Sequence, residues 1–205
     1  MKKALILDLD NTIYGVPTIA DEIFAPLFQI IKESGEHDED FEAIKKDIMR
    51  KPIQVIAAKY GFSEGLTKQI LGMLSNNSYK GPIQYFSDYE ATRDLPQEKY
   101  LVTTGFIQLQ QSKIEGMNIN EDFKEIHIID PTTSDKTKRD VFADIIEREG
   151  YHIDEVLVVG DDLHSEIKAA QELGIDAVVY DKYNLHPEDI TLPKINDFNQ
   201  LEPFI

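Results

Sequence analysis

The sequence predicts an α/β protein in which a doubly wound, Rossmann-like parallel sheet carries an inserted all-helical block. After Pro96, short continuous apolar runs alternate with amphipathic stretches, which is typical of parallel strands covered by helices on both faces. In the preceding stretch, apolar residues recur at helical spacing. A first apolar run at 4–7 then joins the later strands in one sheet. We therefore expect a core formed by residues 1–14 and 91–205, and a helical insertion over 15–90.

The expected elements follow in chain order. The helical block divides at short breaks that contain Gly, Pro or Asn, namely Ser34-Gly35, Lys51-Pro52, Tyr60-Gly61 and Asn76-Asn77. The later strands are apolar runs of four residues, at 100–103, 126–129, 156–159 and 177–180. The remaining elements are amphipathic helices at 139–148 and 163–173, a weak edge strand at 191–195 and a closing helical turn at 197–201.

The composition restricts the classes of function. The 205-residue chain is long enough for one core with a small insert, and it contains no cysteine, which excludes thiolate zinc sites and a cysteine nucleophile. Its formal net charge of −17 disfavours binding to nucleic acid or to anionic membranes. No segment has the roughly 18 uninterrupted apolar residues of a membrane span. We expect a cytoplasmic monomer or homodimer that binds neither nucleic acid nor membrane.

Two acids, Asp8 and Asp10, stand one residue apart at the carboxyl end of the first apolar run. In an open parallel sheet, ligands bind at that edge. Like charges this close repel each other unless a cation neutralises them, and a site with only oxygen ligands favours Mg²⁺. The pair by itself is equally compatible with an acidic turn after a strand, since acids are common turn residues.

Polar residues also follow the next two strands. Thr103-Thr104-Gly105 offers a hydroxyl and backbone amides that can bind phosphate oxygens, although the same sequence suits an ordinary strand-to-turn segment. Lys136 and Lys138 come after the following strand and before a helix. A lysine there is often only solvated, but near acids and phosphate it could neutralise both.

A second acidic cluster follows the strand at 156–159. Asp161 and Asp162 are adjacent, and Glu166 lies in the helix beyond them. One of these acids is expected to cap the helix, and capping does not account for all three. His164 lies beside the cluster, and we expect it to be a surface residue of the helix rather than a ligand.

The acid pair, the hydroxyl, the lysine and the acid cluster each follow their own strand, and this order resembles the haloacid dehalogenase-like hydrolase superfamily. Asp8-Leu9-Asp10-Asn11-Thr12 is similar to the first motif of that family, Val102-Thr103-Thr104-Gly105 to the second, and Gly160-Asp161-Asp162 with Glu166 to the fourth. The helical block lies where the family carries a helical cap.

The lysine of the third motif is open between Lys136 and Lys138. Lys136 is preferred, because the segment from Lys136 to Phe142 has the spacing of the family's Lys-Pro-x-x-x-x-Phe pattern. Thr137 stands where the pattern has proline, which leaves the choice open.

The resemblance implies a Mg²⁺-dependent phosphatase that acts on a small phosphorylated metabolite. Asp8 would attack phosphorus and form an aspartyl phosphate. Asp10 would protonate the leaving alkoxide and then deprotonate the attacking water. The ion would be held by Asp8, by the backbone carbonyl of Asp10 and by Asp161.

The other motif residues would support this chemistry. The resemblance implies that the Thr103 hydroxyl binds the phosphoryl oxygens with nearby backbone amides, and that Lys136 balances the charge. Thr12, Asp162 and Glu166 would surround the site, where the two acids would hold metal-bound water or the lysine.

Several alternatives stay open at this point. Asp10 argues against a dehalogenase, because carbon-halogen displacement needs no proton for the leaving group and the dehalogenating relatives lack this acid. A phosphomutase would share the same core. From a different class, a receiver-like signalling domain or an inactive binding module would use the same fold. Tyr14, Arg50, Lys51 and Arg93 could meet a substrate, but packing or solvation is the expected role of each.

Overall fold

A computed structural model of the chain describes residues 1–37, 41–49, 51–187 and 190–205. Its strands are β1 (Ala4–Leu7), β2 (Glu98–Thr104), β3 (Glu125–Ile129), β4 (Val156–Gly160), β5 (Asp176–Tyr180) and β6 (Lys194–Ile195). They form one parallel sheet in the order β3-β2-β1-β4-β5-β6. The predicted doubly wound parallel sheet is therefore confirmed, including its weak edge strand.

The first strand lies at the centre of this sheet, because both of its neighbours come from later in the chain. Leu7, its last residue, pairs with Leu101 of β2 on one side and with Val159 of β4 on the other. All four residues of β1 are buried, as expected for a strand covered on both faces. The strand order reverses at β1, so the segments that follow β1, β2 and β4 converge at one edge.

Eight α-helices are present in the described part of the chain. The first four are α1 (Ala20–Ser34), α2 (Phe41–Ile48), α3 (Ile53–Tyr60) and α4 (Glu64–Ser75). The others are α5 (Glu90–Arg93), α6 (Ile107–Met117), α7 (Lys138–Glu149) and α8 (Glu166–Leu173). The last of these begins three residues later than predicted, and it ends at Gly174 in the left-handed conformation, as the sequence indicated.

The apolar residues form three clusters. Two of them cover the two faces of the sheet, one around Leu5 and Leu7 and the other around Ala4 and Ile6, as the alternation of side chains along a strand requires. The third cluster is formed by helices α1 to α4 and includes Leu27, Ile44 and Ile70. The helical stretch thus has an apolar interior of its own.

The helical stretch leaves and rejoins the sheet at one place. Tyr14, just after β1, forms a β-bridge with Tyr85, and the amide of Phe86 donates to the carbonyl of Ile13 at 2.8 Å. The two connecting segments therefore lie side by side next to the carboxyl end of β1. No described helix is both long and apolar enough to cross a membrane.

Candidate active site at the carboxyl edge of the sheet

Three acidic side chains converge where β1 and β4 end. Asp8 follows β1, Asp161 follows β4 and Glu166 begins α8, and one carboxylate oxygen of each lies within 4.8 Å of the others. All the donor atoms are oxygens, which suits a hard divalent cation such as Mg²⁺. The three carboxylates therefore fit a divalent cation, and they include Asp8 and Asp161, two of the predicted ligands.

Lys138 is the lysine that reaches this cluster. Its Nζ lies 2.5 Å from Oδ1 of Asp8 and 2.8 Å from Oε2 of Glu166, and all three side chains are buried. Lys136 is exposed, and its backbone amide donates to the hydroxyl of Ser134. The sequence-based preference for Lys136 therefore does not agree with the structure, in which Lys138 and not Lys136 contacts the acids.

The start of α7 explains this difference. Thr137 caps the helix, and its side chain and that of Asp140 satisfy each other's backbone amides in a capping box. Lys138 is thus the first residue of the helix, whereas Lys136 lies in the loop before it. The Thr-x-x-Asp spacing was visible in the sequence and marked the helix start more directly than the distance to Phe142 did.

Glu166 is positioned by a close approach of backbone. A Cβ built on Gly160 would lie 2.3 Å from Cγ and Oε1 of Glu166, so only glycine leaves room for this side chain. The amide of Asp162 donates to Oε1 of Glu166 at 2.6 Å. The carboxylate of Asp162 itself accepts from the amide of His164, which gives Asp162 a turn-forming contact, while His164 is an exposed residue as expected.

The carboxylate of Asp10 has a separate set of partners. Oδ1 accepts from the Tyr14 hydroxyl and from Nζ of Lys113 at 2.8 Å, and Oδ2 accepts from Nε2 of Gln110 at 2.8 Å. Only Leu9 separates Asp8 from Asp10 in the motif, yet their carboxylates contact different groups. Both carboxylate oxygens of Asp10 thus accept hydrogen bonds from Tyr14 or from residues of α6.

The pKa values of the two acids shift in opposite directions. Burial raises the pKa of Asp8 to about 7, and the neighbouring Glu166 adds to this effect, while Lys138 opposes it. Burial also acts to raise the pKa of Asp10, but Lys113 and the hydrogen bonds from Tyr14 and Gln110 outweigh it and hold that pKa below its usual value. One ammonium group shared by Asp8 and Glu166 does not neutralise both, so a divalent cation would offset the remaining repulsion.

The carboxyl end of β2 contributes a buried hydroxyl. Thr103 is 1 % exposed, and its Oγ1 accepts from Nε2 of Gln110 at 2.7 Å, while Thr104 is exposed at the strand end. The amide of Gly105 donates to the carbonyl of Ile129 at 2.9 Å. That amide is committed to the sheet, so the expectation that it is exposed for phosphate was wrong.

The chain is similar to known proteins in sequence and in fold. A family model described as haloacid dehalogenase-like hydrolase matches residues 2–174. The chain belongs to this family. A haloacid dehalogenase-like hydrolase of Streptococcus pneumoniae, SP0104, is similar in structure with a TM-score of 0.69 and 17% identity, over 100% of this chain and 99% of that one. YfnB of Bacillus subtilis, a putative hydrolase of the family bound to magnesium, has a TM-score of 0.65 and 16% identity over 98% of this chain and 97% of its own.

One curated relative is named for its activity. Glyceraldehyde 3-phosphate phosphatase of Methanothermobacter thermautotrophicus is 21% identical over an alignment of 238 positions, gaps included, that covers 100% of both chains. This haloacid dehalogenase-like chain is therefore a hydrolase of the family with a distant phosphatase homologue.

Three further residues singled out in the sequence lie in the described part of the chain, and two of them form ion pairs with other residues. Thr12 is fully buried in the turn after β1. Lys51 pairs with Asp47 at 2.9 Å, and Nε of Arg93 pairs with Asp122 at 2.9 Å. Arg50 lies outside the described residues.

Sequence reasoning missed the roles of Gln110 and Lys113, which lie on the first turns of α6. Both are buried although their residue types are usually exposed, so the apolar periodicity gave no sign of them. The available signal was that Gln110 and Lys113 are three positions apart in the helix after the second motif, which places them on one face of that helix. Tyr14 was considered, but as a packing aromatic rather than as a donor to Asp10.

Proposed function

We propose that this protein hydrolyses a small-molecule phosphate monoester with Mg²⁺, through an aspartyl phosphate on Asp8. The proposal depends on one observation above all: Asp8 and Asp10 are two residues apart, yet one carboxylate contacts Lys138 and the other contacts Lys113. Two neighbouring acids with different partners suit two different tasks, nucleophile and proton carrier.

In the first step, an oxygen of Asp8 attacks phosphorus and the bond from phosphorus to the ester oxygen breaks. Asp10, a carboxylate in the free protein, takes up a proton from solution when the anionic ester binds beside it, and gives that proton to the departing alkoxide. Oγ1 of Thr103 already accepts a hydrogen bond from Nε2 of Gln110, so its hydroxyl hydrogen is available to donate to a phosphoryl oxygen. Lys138 remains beside Asp8 and offsets charge as the phosphoryl group arrives.

In the second step, water attacks the phosphorus of the aspartyl phosphate and frees Asp8 and inorganic phosphate. Asp10, now a carboxylate, accepts the proton of that water. Mg²⁺, held by Asp8, Asp161 and the Asp10 carbonyl, would supply charge neutralisation and orientation of the phosphoryl group when bound. Glu166 would hold Lys138 and a metal-bound water.

The substrate class is supported by the distant relative and by the helices before β2. That relative acts, by its name, on a phosphorylated three-carbon metabolite. We propose that residues 15–90 form a cap over the site, because α1 to α4 have their own apolar cluster and both connecting segments lie beside Asp10. Such a cap would select the metabolite and limit water near the phosphoryl group.

A panel of phosphate esters assayed with and without Mg²⁺ tests this proposal. Asp8→Asn should abolish turnover and the acid-labile phosphate on the protein, whereas Asp154→Asn, an exposed acid away from the site, should keep both. Repeated release of phosphate supports a phosphatase. Stable single labelling of Asp8 would instead indicate a receiver, transfer between positions of a sugar phosphate would indicate a mutase, and turnover by Asp8→Asn would overturn the mechanism.

A further inference from the structure

We propose that Lys113, with Tyr14 and Gln110, is a positioning residue that fixes the carboxyl group of Asp10 for proton transfer to the leaving group. The proposal rests on the proposed function, because it assigns the support of the acid-base residue. It concerns Tyr14 and two residues of α6, none of which belongs to the acid cluster of Asp8, Asp161 and Glu166.

Lys113 is a buried lysine whose ammonium group contacts Asp10 and Gln110. Its side chain is 7% exposed, and its Nζ donates to Oδ1 of Asp10 at 2.8 Å and to Oε1 of Gln110 at 2.6 Å. Removing an ammonium group from water is costly unless it is paired and hydrogen-bonded. The partners of Lys113 are the proposed proton carrier and a residue that itself contacts that carrier.

The orientation of Gln110 follows from Lys113. An ammonium group only donates, so the amide oxygen of Gln110 must face Lys113 and its NH₂ group must face the other way. That NH₂ donates to Oδ2 of Asp10 at 2.8 Å and to Oγ1 of Thr103 at 2.7 Å. The lysine thus fixes both oxygens of Asp10, one directly and one through Gln110.

Two further contacts hold the arrangement in place. The buried Tyr14 hydroxyl donates to the same Oδ1, and Nζ of Lys113 lies 5.7 Å from the centre of the Tyr14 ring. Gly105 makes room for Gln110, since a Cβ there would lie 3.0 Å from Cδ of that side chain. Three donors on one carboxylate leave it a single orientation, and proton transfer depends strongly on such alignment.

The dependence of kcat/KM on the leaving group distinguishes a positioning role from a merely structural one, because a structural defect would lower kcat/KM equally for all esters. An alkyl phosphate needs a proton on its alkoxide, whereas 4-nitrophenyl phosphate releases a stable anion without one. Release of the alcohol or phenol completes the first chemical step, so kcat/KM reports that step for both esters. We expect Lys113→Met to lower kcat/KM on an alkyl phosphate by about 100-fold or more, and on 4-nitrophenyl phosphate by less than about 10-fold.

Tyr14→Phe provides a second variant that keeps the buried ring and removes one donor to Asp10. It should show the same preference for the aryl ester with a smaller loss, so the test stands even where Lys113→Met fails to fold. Lys99→Met is the matched control for a buried lysine, because Nζ of Lys99 donates to the carbonyls of Leu95 and Gln97. Tyr60→Phe is the control for the hydroxyl, which contacts Asp47 in that case. Both controls should leave the ratio of the two kcat/KM values unchanged.

The possible failures are distinguishable. A wild-type protein inactive on both esters would contradict the proposed function itself. An active wild-type protein whose Lys113→Met and Tyr14→Phe variants lose equal factors on both esters, or lose nothing, would overturn the positioning role and leave the proposed function standing.

Discussion

Lys138 Nζ lies 2.5 Å from Oδ1 of Asp8, and the side chains are 6% and 7% exposed. The ammonium group is thus held against the proposed nucleophile without water between them. Lys138→Met should lower kcat/KM by about 100-fold or more, because it removes charge compensation in a buried site. Lys136→Met, two residues away and exposed, should change it by less than about twofold. Steady-state assays of the two variants check this, and a larger loss for Lys136→Met would return that residue to consideration.

Gly160→Ala should disrupt the site through Glu166. The added Cβ would lie 2.3 Å from Glu166, and this side chain cannot move without losing its bonds to Lys138 and to the amide of Asp162. We expect weaker Mg²⁺ binding, measured by titration calorimetry, together with reduced turnover. Gly72→Ala is the control, since its Cβ would meet nothing within 4 Å inside α4, and it should stabilise the protein by about 0.5–1 kcal/mol.

The sheet and its edge could be predicted because buried parallel strands leave a strong signal. The runs around Ile6 and Val158 are continuously apolar, and acids directly after them can only lie at the carboxyl edge. Gly160 was interpreted as part of a motif. That this position must be glycine depends on how closely Glu166 of α8 approaches it, and no local sequence pattern encodes that approach.

The choice of lysine and the support of Asp10 were harder to predict for a physical reason. Lys136 and Lys138 are the same residue type two positions apart, and only the onset of α7 buries one and exposes the other. Lys113 and Gln110 are polar residues on a buried helix face, stabilised by partners about a hundred residues away. Tertiary contacts of this kind override the usual exposure of their residue types.

Ile70→Ala tests whether α1 to α4 form a unit of their own. Ile70 is fully buried in the cluster of these helices, and the substitution should destabilise that unit by about 2–5 kcal/mol. Hydrogen exchange should then accelerate in α1 and α4 while amides of β1 and β4 keep their protection. Ile145→Ala, in the cluster on one sheet face, should show the opposite pattern. Equal acceleration in both regions would mean that the helices and the sheet unfold together.

Asp88 links the segment before β2 to the end of the chain, and we expect Asp88→Asn to lower the free energy of unfolding. Its carboxylate accepts from the Tyr180 hydroxyl at 2.7 Å, from Nζ of Lys182 at 2.8 Å and from the amide of Phe198 at 2.9 Å. Asparagine keeps the shape but turns an acceptor into a donor facing other donors. The loss should be about 2 kcal/mol at pH 7, measured by urea unfolding.

The pH dependence of this difference gives Asp88→Asn a sharper test. Burial acts to raise the pKa of Asp88, but the hydrogen bonds from Lys182, Tyr180 and Phe198 outweigh it and hold that pKa below its usual value. A lowered pKa stabilises the folded state above the unfolded-state pKa, and this contribution is lost as the pH falls through the folded-state pKa. The gap between wild type and Asp88→Asn should therefore be constant from pH 7 to about 5 and shrink below about 4. Asp154→Asn should show no such gap, and a gap for Asp88→Asn that persists undiminished in acid would mean that shape rather than charge holds this contact.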